Sequence, residues 1–282
     1  MKRLVVVGYP LGHSLSPAMH NAALAELGLD DEFRYDALPL PSDELRGFME
    51  SVRNREIEGA NITIPYKTRV MAYLSTVSAE GKAVGAVNTL HRKDGLIIGG
   101  NSDIMGFIEA IRERGVDPRG IKAVILGAGG AARAVAYGLA EAGATRLGIY
   151  NRTVDAAWRL VSVIGRDRPL IVFARAKPTT DDLDKTNLIV NCTPVGMAGH
   201  SLNESPLESS KLPSHVAVMD LVYNPLRTKL LLDAERAGCK TIDGVGMLVH
   251  QGAIGFQLWT SMNAPVKVMR EAVIHALGGK KA

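Results

Sequence analysis

Between Lys122 and Ala142 the chain reads as a short apolar strand, a turn with glycine at three of four positions (127, 129 and 130) and an alanine-rich helix ending at Gly143. A strand that reverses so abruptly into a helix fixes the local fold as βα. The apolar segment Arg146–Tyr150 that follows completes a βαβ unit, whose strands are parallel and whose crossover is right-handed. Gly127 permits the sharp turn, Gly129 and Gly130 let backbone N–H groups approach a pyrophosphate, and the small Ala132 lets helix and strand pack closely. A tight βα turn without a ligand is the plainer alternative. Turning alone does not require three glycines, so the segment is read as a dinucleotide site in a Rossmann-type domain.

The same alternation runs along the rest of the chain, which argues for α/β architecture throughout. Before residue 65 the pattern predicts strands Leu4–Val7, Phe33–Leu38 and Ala60–Ile64 and helices Pro17–Leu27 and Ser42–Arg53. Segments Ala86–His91 and Leu96–Gly100 are joined by Lys93-Asp94-Gly95, where Asp-Gly supplies the positive φ angles of a tight hairpin. A helix over Ile104–Arg114 leads into the turn-rich run Gly115–Gly120, a boundary signal. Strands Leu188–Asn191 and Val216–Leu221 extend the second sheet, and amphipathic helices over Gly246–Leu258 and Val266–Leu277 close the chain. The expected division is residues 1–103 as one α/β domain, 104–240 as the dinucleotide-binding domain, and 241–282 returning as helices packed on the first.

A chain of 282 residues, 46% of them apolar, has enough material for two cores without staples. No stretch is long and uncharged enough for a membrane span, and the apolar run after Met1-Lys2-Arg3 ends at Gly8, too soon for a signal-peptide core. The two cysteines, Cys192 and Cys239, form no CxxC pair and are read as reduced, buried thiols of a cytoplasmic protein. His13 and His20 stand seven apart, which suits no metal pair, and no metal is expected. The net charge of +4 comes from interspersed Lys and Arg with few aromatics, which argues against nucleic acid and favours anionic small molecules.

At the end of the strand after the glycine turn, enzymes that use NAD place Asp or Glu against the ribose hydroxyls. Here the chain reads Asn151-Arg152-Thr153. The Arg152 guanidinium offers a fork to a 2′-phosphate, with Asn151 and Thr153 as neutral partners, which favours NADP. Asp155 is close enough to keep NAD open. A separate polar set marks the first domain. Ser14 and Ser16 precede a helix that begins with Pro17; N-capping accounts for Ser16 and leaves Ser14 unused. In Gly59–Lys67, period two puts Asn61 and Thr63 on one face and Ile62 and Ile64 in the core. Lys67 then emerges past the strand's carboxyl end, where ligands bind in open α/β sheets. Asn88 and Asp103 follow; each alone reads as structural.

Taken in order, GHSLSPAMHN, GANITIPYK, GAVNTL, NSD, GAGGAARA, YNRT, NCTPVGM, Asp220–Pro225 with Thr228, and DGVGMLVHQ give a chain that resembles the shikimate dehydrogenase family over nearly its whole length. The resemblance implies reversible, NADPH-dependent reduction of 3-dehydroshikimate to shikimate in aromatic amino-acid biosynthesis. By matching positions it implies a catalytic pair, Lys67 and Asp103. It implies substrate ligands at Ser14, Ser16, Thr63, Asn88, Tyr223 and Gln251, and cofactor contacts at Gly127, Ala128, Gly129, Gly130, Ala131, Asn151, Arg152, Thr153, Leu221 and Gly244. Two positions depart from the family pattern: its Asn-Thr-Asp appears as Asn101-Ser102-Asp103, and Asp155-Ala156-Ala157 stands where many NADP-using members carry a second Arg. Quinate with NAD or NADP is the alternative substrate reading, and a non-catalytic ligand sensor is the alternative of another class. A homodimer is left open.

Overall fold

The computed structural model describes residues 1–12, 14–165 and 168–278. The chain divides into two compact units, Met1–Gly106 with Val249–Ala282, and Phe107–Leu248. His13 lies outside the described residues.

The first unit opens with β1 (Lys2–Gly8), α1 (Ser16–Glu26), β2 (Phe33–Pro39), α2 (Leu45–Arg53) and β3 (Gly59–Ile62). Both β1–β2 and β1–β3 pair in parallel, so the apolar run Leu4–Val7 becomes a central strand with every side chain buried. A short 3-10 turn (Arg69–Tyr73), β4 (Thr76–Val77) and α3 (Ala79–Val84) lead to β5 (Thr89–Lys93) and β6 (Leu96–Gly100). The sheet order is β2-β1-β3-β5-β6-β4. β5 and β6 are the expected antiparallel hairpin, and its turn takes positive φ at Asp94 (52°) and Gly95 (78°). Its apolar centre gathers Val5, Val7, Phe48, Met49, Val52, Ile62, Tyr66, Val87 and Leu90.

Two expectations fail locally. Ile64 is 72% exposed, because β3 ends at Ile62 and Thr63–Tyr66 closes a turn through Tyr66 N–H to the Thr63 carbonyl at 2.8 Å. Ser16 is not the cap of α1 but its first residue. Leu15 holds the N-cap position without a side-chain bond, and the Ser14 hydroxyl accepts from Ser16 N–H at 3.4 Å.

The second unit contains β7 (Lys122–Leu126), reached through α4 (Asp103–Glu113), then α5 (Gly130–Glu141), β8 (Arg146–Tyr150), α6 (Val154–Ile164), β9 (Ile171–Arg175) and α7 (Thr180–Asp184). β10 (Leu188–Asn191), β11 (Ala217–Asp220), α8 (Lys229–Arg236) and β12 (Lys240–Ile242) complete it. Its six strands are all parallel in the order β12-β11-β10-β7-β8-β9, the doubly wound Rossmann arrangement with its switch point between β7 and β10. One core on one face gathers Ile125, Val135, Leu139, Leu147, Ile149 and Leu160; another on the opposite face gathers Val124, Leu126, Ile189, Val218 and Leu231. The run Gly115–Gly120 lies inside this unit. The partition falls between Gly106 and Phe107 within α4, and between Leu248 and Val249 within α9 (Val245–Thr260).

The chain's last helices, α9 and α10 (Val266–Ala276), return to the first unit, as expected from the sequence. α10 packs on α1. Trp259 of α9 lies over Gly59 of β3, where a Cβ would come within 2.3 Å of the indole, and its Nε1–H donates to the Leu90 carbonyl at 2.8 Å. Among the described residues no helix is long and apolar enough to cross a membrane, and no group of three or more His, Cys, Asp or Glu side chains could hold a metal.

Beneath these helices His20 is fully buried, with neither ring nitrogen hydrogen-bonded among the described residues. It stacks on Tyr35 at 4.2 Å and 11° and faces Trp259 at 5.4 Å. Burial alone pushes its pKa down to about 3. The unfolded chain's imidazole takes a proton near pH 6.5 and the folded one does not, so stability falls as pH drops from about 6.5 toward 3. His20→Phe, which keeps a flat ring between the same neighbours, should remove that slope of about 1.4 kcal/mol per pH unit. Urea unfolding at pH 7, 6 and 5 measures it, and parallel profiles for the two proteins would refute the account.

Candidate functional site

Lys67 is held by its own backbone before its side chain does anything. Its carbonyl accepts from Val87 N–H at 2.7 Å, while the neighbouring Tyr66 is buried and its hydroxyl donates to the Leu40 carbonyl. From this fixed loop the Nζ reaches Asp103 Oδ2 at 2.5 Å. The Lys67 side chain keeps 18% of its surface open and that of Asp103 8%, so the pair is largely covered, the carboxylate side more than the lysine.

Asp103 opens α4, where its charge suits the helix N-terminus, and Asn101 Oδ1 accepts its N–H at 3.1 Å. Its second oxygen accepts from Asn88 Nδ2 at 2.8 Å. The Asn88 carboxamide is saturated: Nδ2 also donates to Ser102 Oγ at 3.0 Å, and Oδ1 accepts from Ser102 N–H at 2.7 Å and Thr89 Oγ1 at 2.9 Å. The serine that replaces the usual threonine at 102 thus uses both its backbone N–H and its hydroxyl inside the site. Gln251 reaches this group from α9, its Oε1 lying 3.5 Å from Ser102 Oγ. The approach depends on Gly106 of α4, where a Cβ would lie 2.7 Å from Gln251 Cβ.

A second polar run continues beneath the first. Tyr35 Oη donates to Asn61 Oδ1 at 2.6 Å, and Asn61 Nδ2 faces the Asn88 carbonyl at 3.4 Å and Thr89 Oγ1 at 3.5 Å. Burial pushes the Tyr35 phenol well above its ordinary pKa, opposed by a hydrogen bond with Ser16. Asn21 clamps the Tyr35 backbone by accepting its N–H at 2.9 Å and donating to its carbonyl at 2.8 Å. Thr63 enters beside Gly8, whose missing side chain makes room for the threonine methyl, and its N–H donates to the Val7 carbonyl at 2.8 Å. The first unit therefore joins Lys67, Asp103, Asn88, Gln251 and Ser16 through one connected set of polar groups. The Ser14 hydroxyl meets the Ser16 N–H, and the Ser14 N–H donates to the Leu11 carbonyl at 3.2 Å.

Asn61, Thr89, Tyr35 and Ser102 belong to this set although the sequence marks none of them as site residues. Asn61 had a signal, since it shares a strand face with Thr63. Tyr35 had none, because an aromatic residue in an apolar strand reads as core. Tyr223 lies in the second unit, where burial raises the pKa of its phenol.

In the second unit the glycine turn has the geometry of a phosphate cradle. Gly127 adopts φ +108°, and a Cβ there would lie 3.2 Å from the Cys192 backbone. At Gly129, the N-cap of α5, nothing stands within 4 Å of a Cβ position, so the backbone is open to a ligand beside the first N–H groups of the helix. Arg152 and Thr153 are exposed at the end of β8. Asn151 folds over them by donating from Nδ2 to the Thr153 carbonyl at 2.8 Å, and no carboxylate occupies positions 151–153. These residues fit a dinucleotide with a ribose phosphate. Leu221 and Gly244 touch: a Cβ on Gly244 would come within 2.6 Å of the Leu221 carbonyl oxygen.

The loop after β10 is fixed by side chains at the strands' carboxyl ends. Asn191 donates to Asp220 Oδ1 at 2.9 Å and to the Val195 carbonyl at 3.2 Å, and accepts from Thr193 Oγ1 at 2.6 Å. Asp220, fully buried, also accepts from Thr228 Oγ1 at 2.6 Å and Val222 N–H at 3.0 Å. Burial raises its pKa to about 6 against those donors. The Cys192 thiol is pushed far up by burial and by Asp220.

Two family models match the chain, both mainly within the first unit. Residues 6–90 match the shikimate dehydrogenase substrate binding domain, and residues 244–274 match the shikimate 5′-dehydrogenase C-terminal domain. The NADP(+) shikimate dehydrogenase of Methanopyrus kandleri is 47% identical over 279 residues, covering 96% of this chain and 94% of that protein. A crystal structure of a shikimate dehydrogenase in complex with NADP+ superposes with TM-score 0.90 at 37% identity, covering 98% of this chain and 96% of that one. The Thermus thermophilus enzyme in complex with NADP(H) and shikimate superposes with TM-score 0.88 at 39% identity, covering 98% of this chain and all of that one (100%). With similarity of this extent along the whole chain, and with its motifs assembled as described, the chain belongs to the shikimate dehydrogenase family.

Proposed function

We propose that this chain is an NADP-linked shikimate dehydrogenase that reversibly reduces 3-dehydroshikimate to shikimate in aromatic amino-acid biosynthesis. The observation that carries the reading is the 2.5 Å contact between the Lys67 amine and the Asp103 carboxylate, in a chain similar to shikimate dehydrogenases from end to end. The first unit takes the ring acid and the second takes the dinucleotide. Cys192 and Cys239 are both free, in keeping with a reducing cytoplasmic setting.

Bound NADPH supplies the hydride. Reduction builds negative charge on the carbonyl oxygen, and Lys67 Nζ neutralises it by donating a proton; in the oxidative direction the amine removes the proton from the hydroxyl. Asp103 holds the amine in place and offers its remaining acceptor capacity to the same hydroxyl. Asn88 fixes the carboxylate from behind. Ser14, Ser16, Thr63 and Gln251 supply hydroxyl and amide groups for the ring hydroxyls and the carboxylate, Asn88 presents its amide at the flank of Asp103, and Tyr223 is assigned to the substrate by the family resemblance alone. Gly127, Ala128, Gly129, Gly130 and Ala131 cradle the pyrophosphate. Asn151, Arg152 and Thr153 hold the 2′-phosphate, and Leu221 and Gly244 form a flat wall for the remainder of the dinucleotide.

Shikimate oxidation followed by coenzyme absorbance tests the reading directly, with quinate and NAD+ as competing arms; a clear preference for quinate with NAD+ would overturn it. Lys67→Ala should lower turnover by about 10²- to 10⁴-fold while the KM values for shikimate and NADP+ change far less. Loss of substrate affinity with turnover intact would remove Lys67 from the chemistry. Arg152→Ala should raise the KM for NADP+ by about 10- to 100-fold, as expected for one lost charge-assisted bond, and leave that for NAD+ nearly unchanged. Equal increases for both coenzymes would place Arg152 away from the 2′-phosphate.

A further inference from the structure

The geometry points to Thr89 as a positioning residue for the Lys67–Asp103 pair, acting through the carboxamide of Asn88. The inference deepens the proposed function and rests on it for its kinetic readout. Thr89 is 1% exposed and its hydroxyl bonds Asn88 at Oδ1, whereas the same carboxamide meets Asp103 through Nδ2, so its reach to the pair runs through Asn88. Its effect follows from counting donors and acceptors. Ser102 N–H is a backbone donor whose position α4 dictates, and it points at Asn88 Oδ1 from 2.7 Å. A flipped carboxamide would set two donors against each other there, so Nδ2 must face Asp103.

Thr89 Oγ1 fills the second lone pair of Asn88 Oδ1 from 2.9 Å and receives the contacts of Ser102 Oγ at 3.0 Å and Asn61 Nδ2 at 3.5 Å. Among the described residues it is the one side chain with hydrogen bonds both to the Asn88 carboxamide and to Asn61 of the Tyr35–Asn61 run. With the threonine hydroxyl gone, Asn88 Oδ1 keeps Ser102 N–H and only a long contact from Ser102 Oγ at 3.3 Å. The carboxamide oxygen is then left with one short bond, to Ser102 N–H; Nδ2 still donates to Ser102 Oγ at 3.0 Å, so the amide pivots on Ser102 alone, and the carboxylate it holds at 2.8 Å shifts with it. Misplacement of a reacting group on this scale acts on turnover more than on binding.

Two substitutions separate the hydroxyl from the methyl. Thr89→Val keeps the shape and removes the donor; Thr89→Ser keeps the donor and removes the methyl. Expected for Thr89→Val is a loss of about tenfold in kcat for shikimate oxidation, with the KM values for shikimate and NADP+ within about twofold of the parent. Thr89→Ser should return kcat to within about twofold of the parent even where its melting temperature is lower. A crystal structure of Thr89→Val should show the Asn88 carboxamide or the Asp103 carboxylate displaced. Unchanged kcat in Thr89→Val, or turnover lost in Thr89→Ser, overturns the proposal. So does a Thr89→Val structure that retains the contacts of Asp103 with Lys67 and Asn88. If Thr89→Val does not fold, Thr89→Ala replaces it as the variant without the hydroxyl, and a kcat for Thr89→Ala equal to that of Thr89→Ser overturns the proposal. A parent protein inactive toward shikimate would instead sink the functional reading, and the crystallographic arm would still decide the role of Thr89.

Discussion

A carboxylate that steers an amine is useful only if it cannot turn away, and the bond that prevents this here does not involve the carboxylate. Ser102 N–H, in the loop that delivers α4, requires an acceptor, and Asn88 Oδ1 supplies it at 2.7 Å. Once that bond is made, the amide nitrogen has a single direction left, toward Asp103, and Asp103 in turn presents its other oxygen to Lys67. An unsatisfied backbone donor at a buried position costs about 1–3 kcal/mol, so the arrangement is enforced by the stability of the loop. The bonds that fold this loop are therefore the bonds that aim Asp103 at Lys67.

Close approach without a side chain is the second recurring device. Gly59 admits the Trp259 ring against β3, Gly106 admits Gln251 against α4, and Gly244 lies on the Leu221 backbone. Each of the three lies where the chain returns from a distant point in sequence. The first two bring the C-terminal helix within reach of the first unit's polar set. The third lets the chain entering α9 lie directly on the Asp220–Leu221 backbone of the second unit.

Much of this was legible in the sequence. The βα turn at Gly127, the parallel strands around it, the Asp94-Gly95 hairpin and the returning C-terminal helices all follow from local rules, because each is set by glycine positions or apolar period within a short window. Lys67 and Asp103 could be named from the family motifs, but their contact could not be derived, since it spans 36 residues and depends on Val87 and Tyr66 holding the Lys67 loop. Period two carries the strand on to Ile64, but the turn closed by Tyr66 N–H ends it at Ile62 and leaves Ile64 outside the core. Serine's preference for the N-cap points to Ser16, but the loop in which the Ser14 hydroxyl meets the Ser16 N–H places Leu15 at the cap and Ser16 inside α1. Thr89 stands inside the motif GAVNTL with no role read for it, and Tyr35 carries no local mark; their contacts emerge only from what segments distant in sequence place around Asn61 and Asn88.

The first unit is closed by Trp259 and Gln251, which belong to the final stretch of chain, whereas the second unit lies wholly between residues 107 and 248. A ribosome adds about 5–20 residues per second, so for some seconds the nascent chain holds a finished dinucleotide domain and a partner whose β3 face and polar set still lack their cover. Order of translation thus makes the nucleotide-binding half the first to be protected. The half that holds the Lys67–Asp103 pair is the one exposed to misassociation until synthesis passes Trp259.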